Sequence, residues 1–174
     1  MGLDIYFSKV GSLDYSLNKE TAIDDQIEIC YFRKVNCLLP HFGYVDNCEY
    51  LEIEKKQMED LVYKAKELLA LYDTISDKLH LQSIEVNYYK EIYKDNREMC
   101  DERCKPFLKK IDEIWKPFEV VAEQQLPTSS GCFFGGQEYR DWYVSDLKEI
   151  VAIFEKILDE TDFDVEQVLM YCWW

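Results

Sequence analysis

The sequence predicts an α+β fold in which a small antiparallel or mixed sheet, with strands from both termini, is covered by amphipathic helices. Segments with alternating apolar and polar residues lie near the two ends, at 3–8 and 168–174. Segments 54–72 and 138–159 have apolar residues at intervals of three and four, which is the helical pattern. Strands at both ends with helices between them define the α+β class. The length of 174 residues suits a single domain, 1–174.

The first third of the chain is predicted to supply most of the sheet. Leu3, Ile5 and Phe7 alternate with polar or aromatic residues and predict the first strand. Residues 27–31 alternate again and predict the second strand, while the polar segment 11–25 is predicted to be a loop or a hairpin excursion. A short third strand is expected within 47–53, immediately before the first long helix.

The middle of the chain is predicted to be helical with interruptions. A break is expected at 73–77, followed by a helix over 79–99. Pro106 suits the first turn of another helix, and Pro117 is expected to end or kink that helix. The apolar tail at 168–174 is predicted to be a last strand paired with the first one, with helix continuation as the alternative.

Composition restricts the classes of partner. The chain has 35 acidic against 20 basic residues, a formal net charge of −15, and 48% hydrophobic residues. The apolar fraction is sufficient for a core, so extensive disorder is not expected. Binding to DNA, RNA or an anionic membrane normally needs a basic face, so neither direct nucleic-acid binding nor membrane association is predicted. The acidic balance fits a basic protein partner or simple solubility.

The seven cysteines do not indicate a disulfide scaffold, because their number is odd and the chain is long. The opening residues lack the features of a signal peptide, and no apolar run reaches the length of a membrane span. The prediction is therefore a cytoplasmic protein with reduced thiols. Cys100 and Cys104 are spaced like two ligands on one helical turn, but a zinc site needs about four. Neither a metal nor another cofactor is predicted.

The stretch 126–143, LPTSSGCFFGGQEYRDWY, is the strongest candidate for a site. Hydroxyl side chains and glycines precede a predicted helix start, where free backbone N–H groups favour anions. Neither the P-loop nor the dinucleotide-binding fingerprint occurs. Glu138 and Asp141 are expected in the first helical turn, where they would repel an anion. The alternative is a structural loop whose aromatic residues pin it to the core.

A second block, YFRKVN at 31–36, contains a basic pair in this acidic chain. The planar guanidinium of Arg33 suits a carboxylate or a phosphate, although pairing with a structural acid is the commoner role. We predict that the two blocks converge on one pocket or interface for a ligand or partner. The residues assigned to it are Asp4, Arg33, Lys34, Asn36, Thr128, Ser129, Ser130, Gly131, Phe133, Gly135 and Tyr139.

Four segments carry a resemblance: MGLDIY, YFRKVN, CEYLEIEKKQMEDL and LPTSSGCFFGGQEYRDWYVSDL. Together they resemble a family of small acidic proteins of bacteria and their phages or prophages. Its members open with Met-Gly-Leu-Asp and carry Tyr-Trp-Arg-Lys-x-Asn and Leu-Pro-Thr-x-Ser-Gly-Phe-Phe-Phe-Gly blocks. Here Phe32 replaces the usual Trp and Cys132 the usual first Phe. The resemblance implies a cytosolic phage- or prophage-type accessory protein and carries no activity with it.

Three functional hypotheses follow from the sequence. The preferred one is non-catalytic binding of a small anionic ligand or a host protein. The second is an acidic protein–protein inhibitor or DNA mimic that acts through acidic helix faces. The third is an enzyme with Cys132 as nucleophile, because a thiol pKa falls near a helix start. No catalytic residues are predicted, since His41 and His80 are the only histidines and no nucleophile–base pair is visible. The oligomeric state is left open.

Overall fold

A computed structural model describes residues 2–46, 49–131 and 134–173. In chain order, its elements are β1 (Asp4–Gly11), α1 (Ser12–Leu17), α2 (Lys19–Asp24), β2 (Ile27–Arg33), α3 (Leu38–Phe42), β3 (Tyr50–Ile53), α4 (Lys55–Ile92), α5 (Arg97–Gln125), α6 (Asp141–Glu160) and β4 (Glu166–Trp173). The α+β class, with helices packed against the sheet, is confirmed.

The sheet has the strand order β2-β1-β4-β3, and every neighbouring pair is antiparallel. The two strands nearest the termini therefore form its centre, with Ile5 opposite Cys172 and Phe7 opposite Met170. The predicted pairing of the last strand with the first is confirmed, and the tail is a strand rather than a helix. The short strand predicted within 47–53 is β3.

One face of the sheet forms the main core with α4 and α6. Phe154 of α6 is fully buried, and its ring packs edge-on against Phe7 at 5.1 Å and stacks on Phe32 at 5.7 Å. Leu61 and Leu68 of α4 are also fully buried in this cluster. Burial of each such side chain contributes about 1.5–3 kcal/mol, so this layer supplies most of the stabilisation.

The other face of the sheet is covered at one end by α1 and α2. A second, smaller cluster there joins Val10 and Leu169 of the sheet to Tyr15 and Ala22. The prediction of a loop over 11–25 is therefore wrong. Each of these two helices has only 6 residues, so a single buried side chain anchors each one, which is too few to produce a recognisable helical period.

The helix α4 is continuous over 38 residues, so the break predicted at 73–77 is wrong. The hydroxyls of Thr74 and Ser76 donate to the carbonyls of Leu71 and Asp73 within the helix instead of capping a new one. The helix ends at Ile92, earlier than predicted, and Asn96 caps α5 by accepting a hydrogen bond from the N–H of Met99 at 3.1 Å.

Pro106 and Pro117 both lie inside α5, which continues to Gln125. The prediction that Pro106 lies in a first turn is therefore wrong. Of the two alternatives predicted for Pro117, an end or a kink, the end is wrong. Each proline removes one helical hydrogen bond. Trp115 and Phe118 flank Pro117 and are buried against the core, so packing on this side of the helix offsets the loss.

The helices α4 and α5 form a hairpin that extends past the sheet. At 1.5 Å per residue, α4 is about 57 Å long, about twice the length of the longest strands. We call residues 80–108 the hairpin arm. Among the described residues, no helix combines the length and apolarity needed to cross a membrane.

Candidate functional site

The structure brings together the two blocks at 33–36 and 128–136. The side-chain amide of Asn36 donates to the carbonyls of Phe134 at 3.2 Å and Gly136 at 3.0 Å. In return, the hydroxyl of Ser129 donates to the carbonyl of Asn36 at 2.9 Å. Both side chains are buried, so these bonds are shielded from water and fix the loop against the end of β2.

Other predicted site residues maintain the shape of the loop. The backbone N–H of Thr128 donates to the hydroxyl of Tyr139 at 3.0 Å. A Cβ atom on Gly131 would lie 2.7 Å from the ring of Phe134, so this position needs glycine for the close approach. The hydroxyl of Tyr143, the first buried residue of α6, donates to the carbonyl of Leu126 at 2.8 Å. This part of the loop is therefore structural, as the alternative interpretation held.

Lys34 has a strained backbone at the point where the blocks touch. Its φ is 63°, and it is the only described residue other than glycine with positive φ. Gly135 lies against it with φ 92°, and a Cβ there would be 3.1 Å from the Cβ of Lys34. A left-handed conformation costs a non-glycine residue about 1–2 kcal/mol. Such strain persists only where the surroundings impose it, and it is concentrated at functional sites.

A groove of about 520 Å³ opens between these blocks and the first turns of α6. The blocks contribute Arg33, Lys34, Asn36, Thr128, Gly135 and Gly136 to its walls. The segment that leads into α6 contributes Glu138 and Arg140, and the helix itself contributes Trp142, Tyr143, Ser145, Asp146 and Glu149.

Of the side chains that α6 contributes, Ser145, Asp146 and Glu149 were not predicted as site residues. Trp142, Asp146 and Glu149 are separated by four and three positions, so they lie on one face of the helix. Trp142 is 86% exposed, which is unusual for so large an apolar group. The sequence feature that could have indicated them is this polar and aromatic stripe directly after the loop. Such a stripe has the same pattern as an ordinary solvated helix face.

Asp146 is the most perturbed acid of the groove. Burial and the nearby charge of Glu149 raise its pKa to about 7. Burial disfavours the charged carboxylate, and a like charge nearby disfavours it further. At neutral pH the carboxyl therefore exists in both forms, able to accept hydrogen bonds when ionised and to donate one when protonated.

Arg140 differs from Arg33 because it forms two close ion pairs rather than one long contact. Its guanidinium contacts Glu119 and Asp112, each at 2.8 Å. These two acids belong to α5, so the pairing ties the start of α6 to the neighbouring helix. The helix begins at Asp141, which leaves Glu138 before its first turn rather than within it.

Not all predicted site residues line the groove. Asp4 lies on the sheet, 3.8 Å from Arg33 and hydrogen-bonded by the hydroxyl of Tyr31. Ser130 is an exposed residue of the loop and does not line the groove. Phe133, and Cys132 of the enzyme hypothesis, lie outside the described residues.

The described cysteines and histidines with shifted pKa values are held in structural settings. Burial raises the pKa of the Cys37 thiol to about 12, far from that of a nucleophile. Burial also lowers the pKa of His41, whose Nε2 contacts the carbonyl of Gln57 at 2.8 Å. Within the described ranges, no group of three or more His, Cys, Asp or Glu side chains is arranged to hold a metal ion.

Comparisons with protein-family models, curated proteins and solved structures gave no match to this chain. The resemblance to small acidic bacterial and phage proteins therefore stays a prediction. A functional conclusion has to come from the geometry of the groove.

Proposed function

We propose that this chain is a non-catalytic binding protein whose groove takes a small ligand with an anionic group and several hydrogen-bond donors. The observation that carries the proposal is the meeting of two distant sequence blocks in one groove, with cations and a perturbed acid in its walls. A cytosolic accessory role in a phage or prophage setting belongs to the same proposal and depends on the sequence resemblance.

The cations support an anionic group on the ligand. The side chain of Arg33 is 60% exposed, and at 3.8 Å its contact with Asp4 is longer than a direct hydrogen bond. Lys34 is exposed, and its backbone and Cβ lie against Gly135. A guanidinium and an ammonium side by side bind a carboxylate or a phosphate through charge-assisted hydrogen bonds.

The acids restrict the ligand further. Glu138, Asp146 and Glu149 outnumber the two available cations, so the groove repels a bare inorganic anion. A ligand with N–H or O–H groups can satisfy these carboxylates while its anionic group contacts Arg33 and Lys34. The exposed ring of Trp142 offers a stacking surface for a flat group. A nucleoside phosphate combines all three features, and the groove volume lies in the range typical of small-molecule sites.

The first experiment is native mass spectrometry of the purified chain beside its denatured mass. We expect a reproducible extra mass of small-molecule size that is lost on denaturation. A panel of nucleoside mono- and diphosphates, titrated by calorimetry, then tests the ligand class directly. A bare native mass together with no measurable binding across the panel would contradict the proposal.

The change Lys34→Gly separates binding from folding. Glycine adopts φ 63° without the steric cost, so the variant should be at least as stable as the parent chain. It lacks the ammonium group, so ligand affinity should fall about tenfold, as for one charge-assisted contact. The matched control Lys94→Ala removes an exposed lysine of the arm and should bind normally. Unchanged affinity in Lys34→Gly would exclude the groove as an anion site.

A further inference from the structure

A row of four tyrosines crosses the whole sheet on the face opposite the main core. Tyr31 of β2 is opposite Tyr6 of β1, which is opposite Tyr171 of β4, which in turn is opposite Tyr50 of β3. The ring centroids are 4.9, 6.0 and 5.1 Å apart along the row. These distances are those of interacting aromatic pairs, so the rings form one continuous surface.

The helices of the second face cover this surface only at its Tyr50 end. Side chains alternate along a strand, so the burial of Ile5 and Phe7 in the core directs Tyr6 to the other side. The helices α1 and α2 cover the end of the sheet near Val10 and Leu169, and Tyr50 is the member of the row that packs against that cluster. At the opposite end, Trp173 is in register with Asp4 and is 51% exposed, which extends the aromatic surface.

A pocket of about 520 Å³ lies over the middle of the row. Three of the tyrosines form its floor, and its rim includes Asp24 and Glu28. Gln26 donates to the hydroxyl of Tyr50 at 2.8 Å and accepts from the hydroxyl of Ser8, so these polar groups already hydrogen-bond one another. The pocket is therefore aromatic below and acidic at its edge.

The charge of this pocket is uncompensated. Asp24 and Glu28 are exposed, and no base lines the pocket or pairs with either acid within the described part of the chain. Asp4, at the edge of the surface, is already engaged by Tyr31 and lies 3.8 Å from Arg33. Tyrosine faces and unpaired carboxylates both attract a cation, and aromatic pockets of this kind recognise cationic groups.

We propose that the tyrosine surface binds a basic segment of a partner protein, with an arginine side chain in this pocket. A planar guanidinium stacks on a tyrosine ring and bonds a carboxylate in a fork, so it satisfies both features at once. The net charge of −15 favours approach of a basic chain and disfavours nucleic-acid phosphates. In a dimer formed through this surface, the carboxylates of one copy would face the same carboxylates of the other and repel them. The pocket shares no lining residue with the groove, so this proposal does not depend on the proposed function.

The test uses the full chain and a fluorescent peptide with three arginines separated by Gly-Ser spacers. Fluorescence anisotropy should show binding that weakens between 50 and about 300 mM salt, as expected for exposed charges. The same peptide with glutamine in place of arginine should not bind. The peptide with lysine should bind more weakly, because an ammonium does not stack or form a bidentate bond. Failure of the arginine peptide to bind would overturn the proposal.

Variants of the chain then locate the binding surface. Tyr6→Phe keeps the ring and should bind within about twofold of the parent, whereas Tyr6→Leu should bind about fivefold more weakly. The pair Asp24→Asn with Glu28→Gln should weaken binding about tenfold. The control pair Asp95→Asn with Glu98→Gln makes the same charge change at the exposed tip of the arm and should bind normally.

Three results would overturn the proposal. Equal weakening by both carboxamide pairs would mean general attraction to an acidic chain. Full affinity in Tyr6→Leu would show that the tyrosine rings do not contact the peptide, provided that thermal unfolding shows a folded variant. If this variant does not fold, the comparison of the two carboxamide double variants decides the question. A concentration-dependent dimer that Tyr6→Phe preserves and Tyr6→Leu abolishes would also overturn the proposal, because it would assign the surface to a second copy.

Discussion

The base of the molecule and its hairpin arm contain parts of the same two helices but are stabilised in different ways. In the base, α4 buries Met58, Leu61 and Leu68 completely against the sheet and α6. In the arm, the same helix buries only Val86, against α5, and its opposite side exposes an apolar stripe. The exposed residues are Leu81, Ile84, Tyr88 and Ile92.

This difference shows that helix formation and core formation are separate requirements. The arm is helical because its residues favour helix and pair across the hairpin, whereas the base is helical because it covers a sheet. The apolar stripe on the arm has the spacing of a buried helix face, but no other layer of the structure covers it. Amphipathic period alone therefore does not identify which part of a long helix contributes most to stability.

The largest expected effect separates the two regions directly. Phe154→Ala removes a fully buried ring that contacts three other phenylalanines, so it should lower the free energy of unfolding by about 3–5 kcal/mol. Val86→Ala, the matched truncation in the arm, should cost about 1 kcal/mol because the site is small and bordered by solvent. Urea unfolding of both variants measures the difference. Equal losses would mean that the arm is as tightly packed as the base.

An intermediate effect is expected when the arm is shortened. None of residues 83–105 belongs to the main core cluster, so replacing them with a short Gly-Ser turn should leave the base folded. We expect a loss of about 1–2 kcal/mol, from the pairing of the two helices within the arm. Circular dichroism and urea unfolding provide the measurement. Loss of the cooperative transition would show that the base depends on the arm.

The smallest expected effect concerns charge. The pKa of Asp146 is raised to about 7, so its ionised form is unfavourable in the folded chain and stability falls as pH rises from about 4 to 7. Asp146→Asn should therefore stabilise the chain at pH 8 by about 1 kcal/mol, after allowing for solvent screening, and have no effect near pH 4. Asp95→Asn, at the exposed tip of the arm, should change stability at neither pH. A stabilisation that is independent of pH would refute the burial explanation.

The parts of the fold that the sequence predicted have strict and uninterrupted periods. The strands around Ile5 and Met170, and the helix around Leu147, each bury a continuous set of side chains. The predicted break near Thr74 was wrong because a hydroxyl can bond within a helix as readily as cap one. The prediction placed Pro106 at a helix boundary and gave an end as one alternative for Pro117, whereas both prolines lie inside α5 because its packing compensates for their missing hydrogen bonds.

The candidate site was predictable only in part. The blocks around Asn36 and Ser129 were expected to meet because their polar residues occur in segments that otherwise look structural. In the structure they do meet, through the hydrogen bond from Ser129 to the carbonyl of Asn36. Asp146 was missed because an acid on an amphipathic helix has the same sequence signature in a groove as in solvent. The tyrosine row was missed for a different reason, because it depends on the register of four strands. Nothing in the sequence shows that Tyr6 and Tyr171 lie opposite each other.

The central position of β1 and β4 has a consequence for the order in which the chain folds during synthesis. β1 is made first and can pair early with β2, but its other edge has no partner until residues 166–173 emerge. Contacts between such distant segments form slowly, because closing the intervening loop costs entropy before any pairing stabilises it. A nascent chain therefore carries unpaired edges on β1 and β3 until β4 has emerged. Unpaired edges favour aggregation, so the emergence of β4 is also the step that removes this hazard between β1 and β3.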